Sequence, residues 1–202
     1  MLNLIGKDIV LQKKTLLILL AGLCVYLALD VSSIWVGIVF SIVLYTNTFA
    51  LDEKSSTHTL LNALPYTRKE VVSSKYIVAM LFTLLVAGAI FIGNLAFHGE
   101  IIPWKNIFLI IAIALTAASI ILPFCYKFKS SYLSIGSIVA FGLYLLIVTF
   151  VVPNLNDRIG EWTLVVLSSE STQLYLIMAA LVMVLYIFSG LLSIRIYRNK
   201  VL

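Results

Sequence analysis

The sequence predicts an all-α integral membrane protein with six transmembrane helices, both termini in the cytosol and a short cytosolic helix between the second and third. Three observations predict this fold class. Of the 202 residues, 62% are hydrophobic and only 11% are charged, whereas globular chains carry about 25% charged residues. The apolar residues form six long stretches, and the basic residues gather on one side of the six-span arrangement. These features exclude an ordinary soluble protein and a disordered chain.

Each of the six apolar stretches approaches the roughly 20 residues that a helix needs to cross a bilayer. They are residues 15–31, 34–51, 76–97, 106–126, 132–152 and 174–194 of a single transmembrane domain, 1–202. Backbone groups in hydrocarbon must form hydrogen bonds within their own segment, so these stretches are predicted to be helices. The strands of a membrane barrel would alternate polar and apolar residues, and these stretches do not. The first two are predicted to form a tight hairpin near Asp30.

The distribution of charge predicts the orientation. Six spans place 12 of the 14 basic residues on one side with four acidic residues, and leave two basic and five acidic residues on the other. Loops rich in Lys and Arg stay in the cytosol, so the basic side and both termini are predicted to be cytosolic. These basic residues lie beside membrane helices, where they set topology and meet lipid headgroups, and nucleic acid is not expected as a partner.

Two further segments are predicted to lie at the membrane surface. Residues 1–14 place Leu2, Ile5 and Ile9 on one helical face, as in an interfacial helix. The outer segment 153–173 contains an apolar run that is too short to span the bilayer. Two interpretations of it stay open: it dips into the outer interface, or it folds as an external loop on the helix ends.

Residues 52–75 form the longer of the two predicted cytosolic loops. Thr67 and Glu70 have the spacing of a capping box, which predicts a helix that begins at Thr67 and continues into the third span. Pro65 must end any helix before it. With Asp52 as its N-cap, that earlier helix has room for about three turns. It either presents a surface to a cytosolic partner or is a solvated loop that only fixes orientation.

One run of residues carries a family resemblance. LNALPYTRKEVVSSKY, residues 61–76, resembles the L-P-x-[ST]-R-x-E-x-V-x-S-K-Y segment of ABC-2 type permeases, the six-helix membrane subunits of bacterial ABC exporters. The resemblance implies a multi-pass protein of the bacterial cell membrane that works with a cytosolic ATP-binding subunit and a second permease chain, identical or different. It also implies a coupling helix that docks on the ATP-binding subunit. The implied coupling residues are Asp52, Glu53, Lys54, His58, Leu60, Leu61 and Leu64.

Small and polar residues form stripes on several spans. On the second span, Gly37, Ser41, Tyr45, Thr48 and Asp52 fall within one sector of about 80 degrees, at about 100 degrees per residue. Such stripes usually mark the packing of one helix on another. The resemblance implies instead that the second and fifth spans face the partner chain. The predicted cargo path on these two spans is Ser41, Tyr45, Thr48, Ser137 and Tyr144.

The sequence lacks the residues that several classes of function require. No span interior offers an ionisable relay for ion-coupled transport or a nucleophile with its base, and no His or Cys pair has metal-binding spacing. No G-x-x-x-x-G-K-[ST] phosphate loop is present, so the chain is not expected to be an enzyme, and ATP and Mg²⁺ are expected in the partner. The favoured function is the transmembrane subunit of an ABC exporter. The alternative is a non-transporting assembly or sensory protein that binds a cytosolic partner through residues 52–75.

Overall fold

The structure is a computed structural model in which the regular structure of the described residues is entirely helical. The described residues are 2–29, 32–54, 67–99, 101–128, 132, 135, 139, 146, 155–169 and 171–199. The continuous helices among them are α1 (Leu2–Ala28), α2 (Ser33–Lys54), α3 (Arg68–His98), α4 (Trp104–Lys127), α5 (Leu155–Ser168) and α6 (Thr172–Asn199). Most of the predicted fifth span lies outside the described residues, and those described from it are helical and exposed.

Five helices of the described part are long and apolar enough to cross a membrane. They are α1, α2, α3, α4 and α6, and the candidate spans within them are Asn3–Leu27, Ser33–Glu53, Arg68–His98, Trp104–Lys127 and Thr172–Asn199. Each one overlaps a stretch that the sequence predicts to span the bilayer. The all-helical fold is therefore confirmed for the described residues, with five helices that could span a membrane.

The first helix, α1, joins the predicted interfacial segment and the first span without a break. The sequence placed Leu2, Ile5 and Ile9 on the apolar face, but the face that packs inward differs. In residues 3–14 the buried side chains are Leu4, Asp8 and Gln12, which recur every four residues, while Ile9 is exposed. The difference arises because Asp8 and Gln12 find polar partners on neighbouring helices, described below.

The second helix, α2, continues through Asp52 and ends at Lys54. The prediction that Asp52 is the N-cap of a new helix is therefore wrong. Aspartate is a frequent N-cap, but here a buried position on α2 with cationic partners holds it inside the last turn. The remaining residues of the predicted coupling helix, 55–64, lie outside the described residues, as does Pro65.

The third helix, α3, has defined caps at both ends. Thr67 Oγ1 accepts from the amide of Glu70, and Glu70 Oε2 accepts from the amide of Thr67 at 2.8 Å, which is the complete capping box. At the other end Gly99 has φ 67°, a left-handed conformation that glycine adopts without a Cβ clash, and its amide bonds Leu95 O. These caps fix where the long helix begins and ends.

Among the described residues, two larger apolar clusters and a smaller one between α4 and α6 hold the helices together. The first includes Tyr45, Phe49, Val72, Tyr76, Leu122 and Tyr197 and lies at the end of the bundle where α2 finishes and α3 begins, called here the loop end. The second includes Leu23, Leu27, Val36, Phe82, Ile90 and Ile110 and lies farther from the loop end. A Cβ at Gly37 would come within 2.8 Å of Ile90 and 2.7 Å of Ile110, so the absence of a side chain lets α2 approach α3 and α4 closely. Lipid is as apolar as these side chains, so close packing of this kind is what stabilises the bundle.

The short helix α5 is tied to the ends of its neighbours opposite the loop end. Lys105, at the start of α4, donates to Leu167 O at 3.0 Å and Ser169 O at 2.8 Å. Tyr175, at the start of α6, donates to Val166 O at 2.6 Å. These bonds satisfy carbonyls that a helix end leaves unpaired. The helix keeps an exposed apolar face that includes Trp162, Leu164 and Val165.

Candidate functional site

Four charged side chains meet at the loop end, where α1, α2 and α3 come together. Lys7 and Asp8 lie on α1, Asp52 on α2 and Lys75 on α3. Lys75 Nζ lies 2.9 Å from Asp8 Oδ1 and 2.5 Å from Asp52 Oδ2, and Lys7 Nζ lies 3.0 Å from Asp52 Oδ1 and 3.2 Å from Asp8 Oδ1. Each charge therefore contacts both charges of the opposite sign. We call these four residues the charge cluster.

The charge cluster is largely withdrawn from solvent. The side chains of Asp8, Asp52 and Lys75 are 2%, 5% and 5% exposed, and that of Lys7 is 26% exposed. Burying an ion is costly unless it is paired, and two cations with two anions balance completely. The ring of Phe49 also lies 5.6 Å from Lys75 Nζ, within the range of a cation–π contact.

Two residues of the charge cluster lie on either side of the loop between α2 and α3. Asp52 lies two residues before the end of α2, and Lys75 lies in the second turn of α3. The segment 55–66, which contains most of the predicted coupling helix, connects these two helices. The Asp52–Lys75 pair therefore joins the two helical stems of this loop, and Lys7 and Asp8 join both stems to α1.

A column of polar contacts continues from the cluster along α2. Gln12 donates from Nε2 to Thr48 Oγ1, and Thr48 donates to Leu44 O at 2.9 Å. Tyr45 is hydrogen-bonded through its hydroxyl to Thr83 on α3. These bonds connect α2 to α1 on one side and to α3 on the other.

The residues predicted to line a cargo path lie in this column. Ser41, Tyr45 and Thr48 are 0%, 1% and 6% exposed, and Ser41 donates to Gly37 O at 2.8 Å. In the single chain the stripe on α2 thus packs helices, which is the alternative interpretation of its pattern. Ser137 and Tyr144 lie outside the described residues.

The predicted coupling residues that the structure describes are Asp52, Glu53 and Lys54. Asp52 points into the charge cluster, and Glu53 beside it is exposed. His58, Leu60, Leu61 and Leu64 lie outside the described residues. Part of the predicted coupling surface is therefore an internal contact of the bundle.

A second polar junction holds α6 against α3. The hydroxyl of Tyr76 bonds Ser189 at 2.7 Å and Ser193 at 2.8 Å, and Tyr186 donates to Tyr76 O at 2.7 Å. Arg68 donates to Arg198 O at 2.6 Å, a favourable place for a cation because carbonyls at the end of a helix lack partners. The start of α3 is thus fixed to the end of α6.

Four residues of the run 61–76, which carries the family resemblance, make contacts described above. Arg68 holds the end of α6, Glu70 completes the capping box, Lys75 lies in the charge cluster and Tyr76 bonds two serines of α6. These residue types at this spacing make the start of α3 a junction between α1, α2 and α6. The sequence reasoning assigned only the cap to this helix start.

Sequence reasoning missed the roles of Lys7, Asp8, Gln12 and Lys75. It counted the lysines among the charges that set the topology and Asp8 among the four acidic residues on the same side. One signal was available: Asp8 and Gln12 follow Leu4 at four-residue spacing, so polar and apolar side chains share one face. Within the described residues, no group of His, Cys, Asp or Glu side chains is suited to hold a metal ion.

Comparison with known families gives one match. A family profile described as "ABC-2 family transporter protein" matches residues 3–198, nearly the whole chain. No curated protein and no solved structure matches the chain. Members of this family are membrane transport components that in general associate with an ATP-binding subunit and a second permease chain. With its apolar helices of spanning length, the chain belongs to the ABC-2 transporter family as a multi-pass membrane permease.

Proposed function

We propose that the chain is the transmembrane subunit of an ATP-binding-cassette exporter of the bacterial cell membrane. It forms the translocation path with a second permease chain, identical or different, and a separate cytosolic subunit supplies the energy by binding ATP and Mg²⁺. One observation carries this proposal: in a chain of a transporter family, a buried ion pair closes the base of the loop on which the partner is expected to act.

The proposed topology has six spans with both termini in the cytosol. Five helices of spanning length support it, and the apolar stretch 132–152 is proposed to be the sixth span. The charge cluster and segment 55–66 then face the cytosol, on the side that carries 12 of the 14 basic residues. Helix α5 lies on the outer face, where its exposed apolar residues meet the interface.

The ATP-binding subunit is proposed to dock on residues 52–64. Glu53, which is exposed beside the buried Asp52, lies at the edge of this proposed surface. Leu60, Leu61 and Leu64 supply its apolar part. Force applied to this segment reaches α2 and α3 together, because the Asp52–Lys75 pair joins their ends.

The cargo path is proposed to form between two permease chains. Ser41, Tyr45, Thr48, Ser137 and Tyr144 remain the predicted path residues, with helix packing as the alternative that the burial of the first three favours. Cysteine labelling distinguishes the two interpretations. If cysteines at Ser41, Tyr45 and Ser137 are all shielded from a water-soluble thiol reagent while transport continues, these residues do not line the path.

The proposal is tested by purifying the chain together with any ATP-binding subunit that a neighbouring gene encodes. We expect the two proteins to co-purify and to hydrolyse ATP together. Replacing Leu60 and Leu61 with Asp should abolish co-purification, because a charged surface cannot replace an apolar contact. A control is Phe128→Asp, which adds one of these negative charges at an exposed apolar residue that follows α4.

Two outcomes would refute the proposal. The first is a chain that purifies without any nucleotide-hydrolysing companion, which would favour a non-transporting membrane protein. The second is unchanged association when both leucines are replaced, which would mean that the loop is not the docking surface.

A further inference from the structure

Helix α1 is attached to the rest of the bundle by buried residues near its two ends. Near its start, Leu4 is buried in the apolar cluster of the loop end, and Asp8 and Gln12 are buried among partners on α2 and α3. Near its end, Leu23 and Leu27 are buried in the second apolar cluster. Between these attachments, residues 13–22 include no fully buried side chain, and Leu16 and Leu19 are partly buried against the second cluster. Polar contacts are therefore part of what holds the first half of α1 at the loop end.

That polar attachment reaches both stems of the loop. Lys7 bonds Asp52 on α2 at 3.0 Å, and Asp8 bonds Lys75 on α3 at 2.9 Å. Because Asp52 and Lys75 are themselves paired, a displacement of either stem moves charges that α1 contacts. The attachment thus links α1 to the same two positions that bracket segment 55–66.

Moving α1 away from the stems would break two ion pairs of the charge cluster. Asp8 would lose Lys75 and Lys7 would lose Asp52, while the pairs Lys7–Asp8 and Asp52–Lys75 would remain. A displacement of all four residues together keeps every pair intact, so the ion pairs favour joint movement. When the stems move, α1 is therefore expected to follow them.

We propose that Lys7 and Asp8 are positioning residues through which movement of the cytosolic loop is passed to α1. This inference rests on the proposed function, since it takes the loop to be the point where the ATP-binding subunit acts. It adds that the first span is displaced in each nucleotide cycle and names the two side chains that displace it.

The test uses the complex of two permease chains with the ATP-binding subunit and a cysteine reporter beneath α1. Thr48→Cys is the α1 reporter, because Thr48 is buried and contacts Gln12 of α1. The natural cysteines, Cys24 and Cys125, are first replaced with alanine. A membrane-impermeant maleimide is applied from the cytosolic side, without nucleotide and after trapping with Mg-ATP and vanadate. Thr83→Cys, buried between α2 and α3, is the matched control reporter.

In the chain with its charge cluster intact, the α1 reporter should be shielded in both states, because α1 moves with α2 and α3. The charge-balanced variant Lys7→Met/Asp8→Asn keeps the Asp52–Lys75 pair but removes the link to α1. In this variant we expect trapping to accelerate labelling of the α1 reporter by about tenfold or more, as a local opening equilibrium would, while the control reporter stays shielded. The conservative variant Lys7→Arg/Asp8→Glu should restore shielding of the α1 reporter.

Two results would overturn the inference and leave the proposed function standing. One is accelerated labelling of the α1 reporter on trapping with the cluster intact, because α1 would then part from the stems in the normal cycle. The other is a charge-balanced variant that hydrolyses ATP yet keeps the α1 reporter shielded after trapping, because the charges would then be unnecessary. Absence of a bound ATP-binding subunit, by contrast, would overturn the proposed function and this inference together.

Discussion

Replacing Lys75 with methionine should destabilise the protein by about 3 kcal/mol, the lower end of the range for breaking a buried ion pair. Methionine keeps much of the volume of the lysine stem, so only a small cavity term is added. The change leaves two buried carboxylates, Asp8 and Asp52, with Lys7 as their remaining partner in the cluster. Because Lys7 still contacts both, the upper end of the range is not expected.

The assay is unfolding of the purified chain in detergent, followed by tryptophan fluorescence. For a chain of this length, about 3 kcal/mol corresponds to a fall in midpoint temperature of roughly 6–12 °C. The matched control is Lys69→Met on the same helix, where the lysine is exposed and lies outside the cluster. It should change the midpoint by less than about 2 °C, since an exposed charge contributes little.

A double variant distinguishes the loss of an ion pair from the cost of leaving a buried carboxylate unpaired. Lys75→Met with Asp52→Asn removes one cation and one anion and leaves the Lys7–Asp8 pair balanced. We therefore expect the double variant to be more stable than Lys75→Met alone, by at least about 1 kcal/mol. Two results would contradict a buried network of four side chains. One is an unfolding midpoint of Lys75→Met equal to that of the Lys69→Met control. The other is a double variant that is less stable than Lys75→Met by the full loss of stability that Asp52→Asn causes alone.

Three further predictions follow from the local geometry. Thr67→Ala should cost about 1 kcal/mol in the free energy of unfolding, because the amide at the start of α3 loses its cap; denaturant titration measures it. Gly37→Ala should destabilise by about 1–3 kcal/mol through its close approach to two isoleucines, whereas Gly88→Ala, with nothing within 4 Å of the new Cβ, should be neutral or stabilising in the same titration. With the natural cysteines replaced by alanine, a cysteine at Ser41 should react with a water-soluble thiol reagent in detergent much more slowly than a cysteine at the exposed Lys69, and equal rates would contradict the buried packing of the α2 stripe.

The features that the sequence predicts well are those decided by nearby residues. The Thr67–Glu70 box depends on two side chains three positions apart, and both of its hydrogen bonds are present. The apolar stretches likewise report a property of consecutive residues. Local patterns of this kind can be read from one chain because backbone geometry alone brings the participants together.

The charge cluster could not be predicted in the same way. Lys7 and Asp52 are 45 positions apart, and Asp8 and Lys75 are 67 positions apart, so only tertiary packing brings them together. The sequence did locate the polar stripe that includes Asp52, but its pattern does not distinguish a contact with a neighbouring helix from the lining of a path. The sequence also does not distinguish two roles of Asp52, because an aspartate near a helix end can be an N-cap or a member of a buried ion pair.

The balance of signs in the charge cluster also has an electrical consequence. A single elementary charge that crosses the full membrane potential exchanges about 2.3 kcal/mol per 100 mV with the field. Lys7 and Lys75 offset Asp8 and Asp52, so the group as a whole can shift along the membrane normal with almost no electrical work. If the permease moves this part of its structure, the electrical work of moving the cluster is therefore nearly the same in a strongly polarised cell and in a depolarised one.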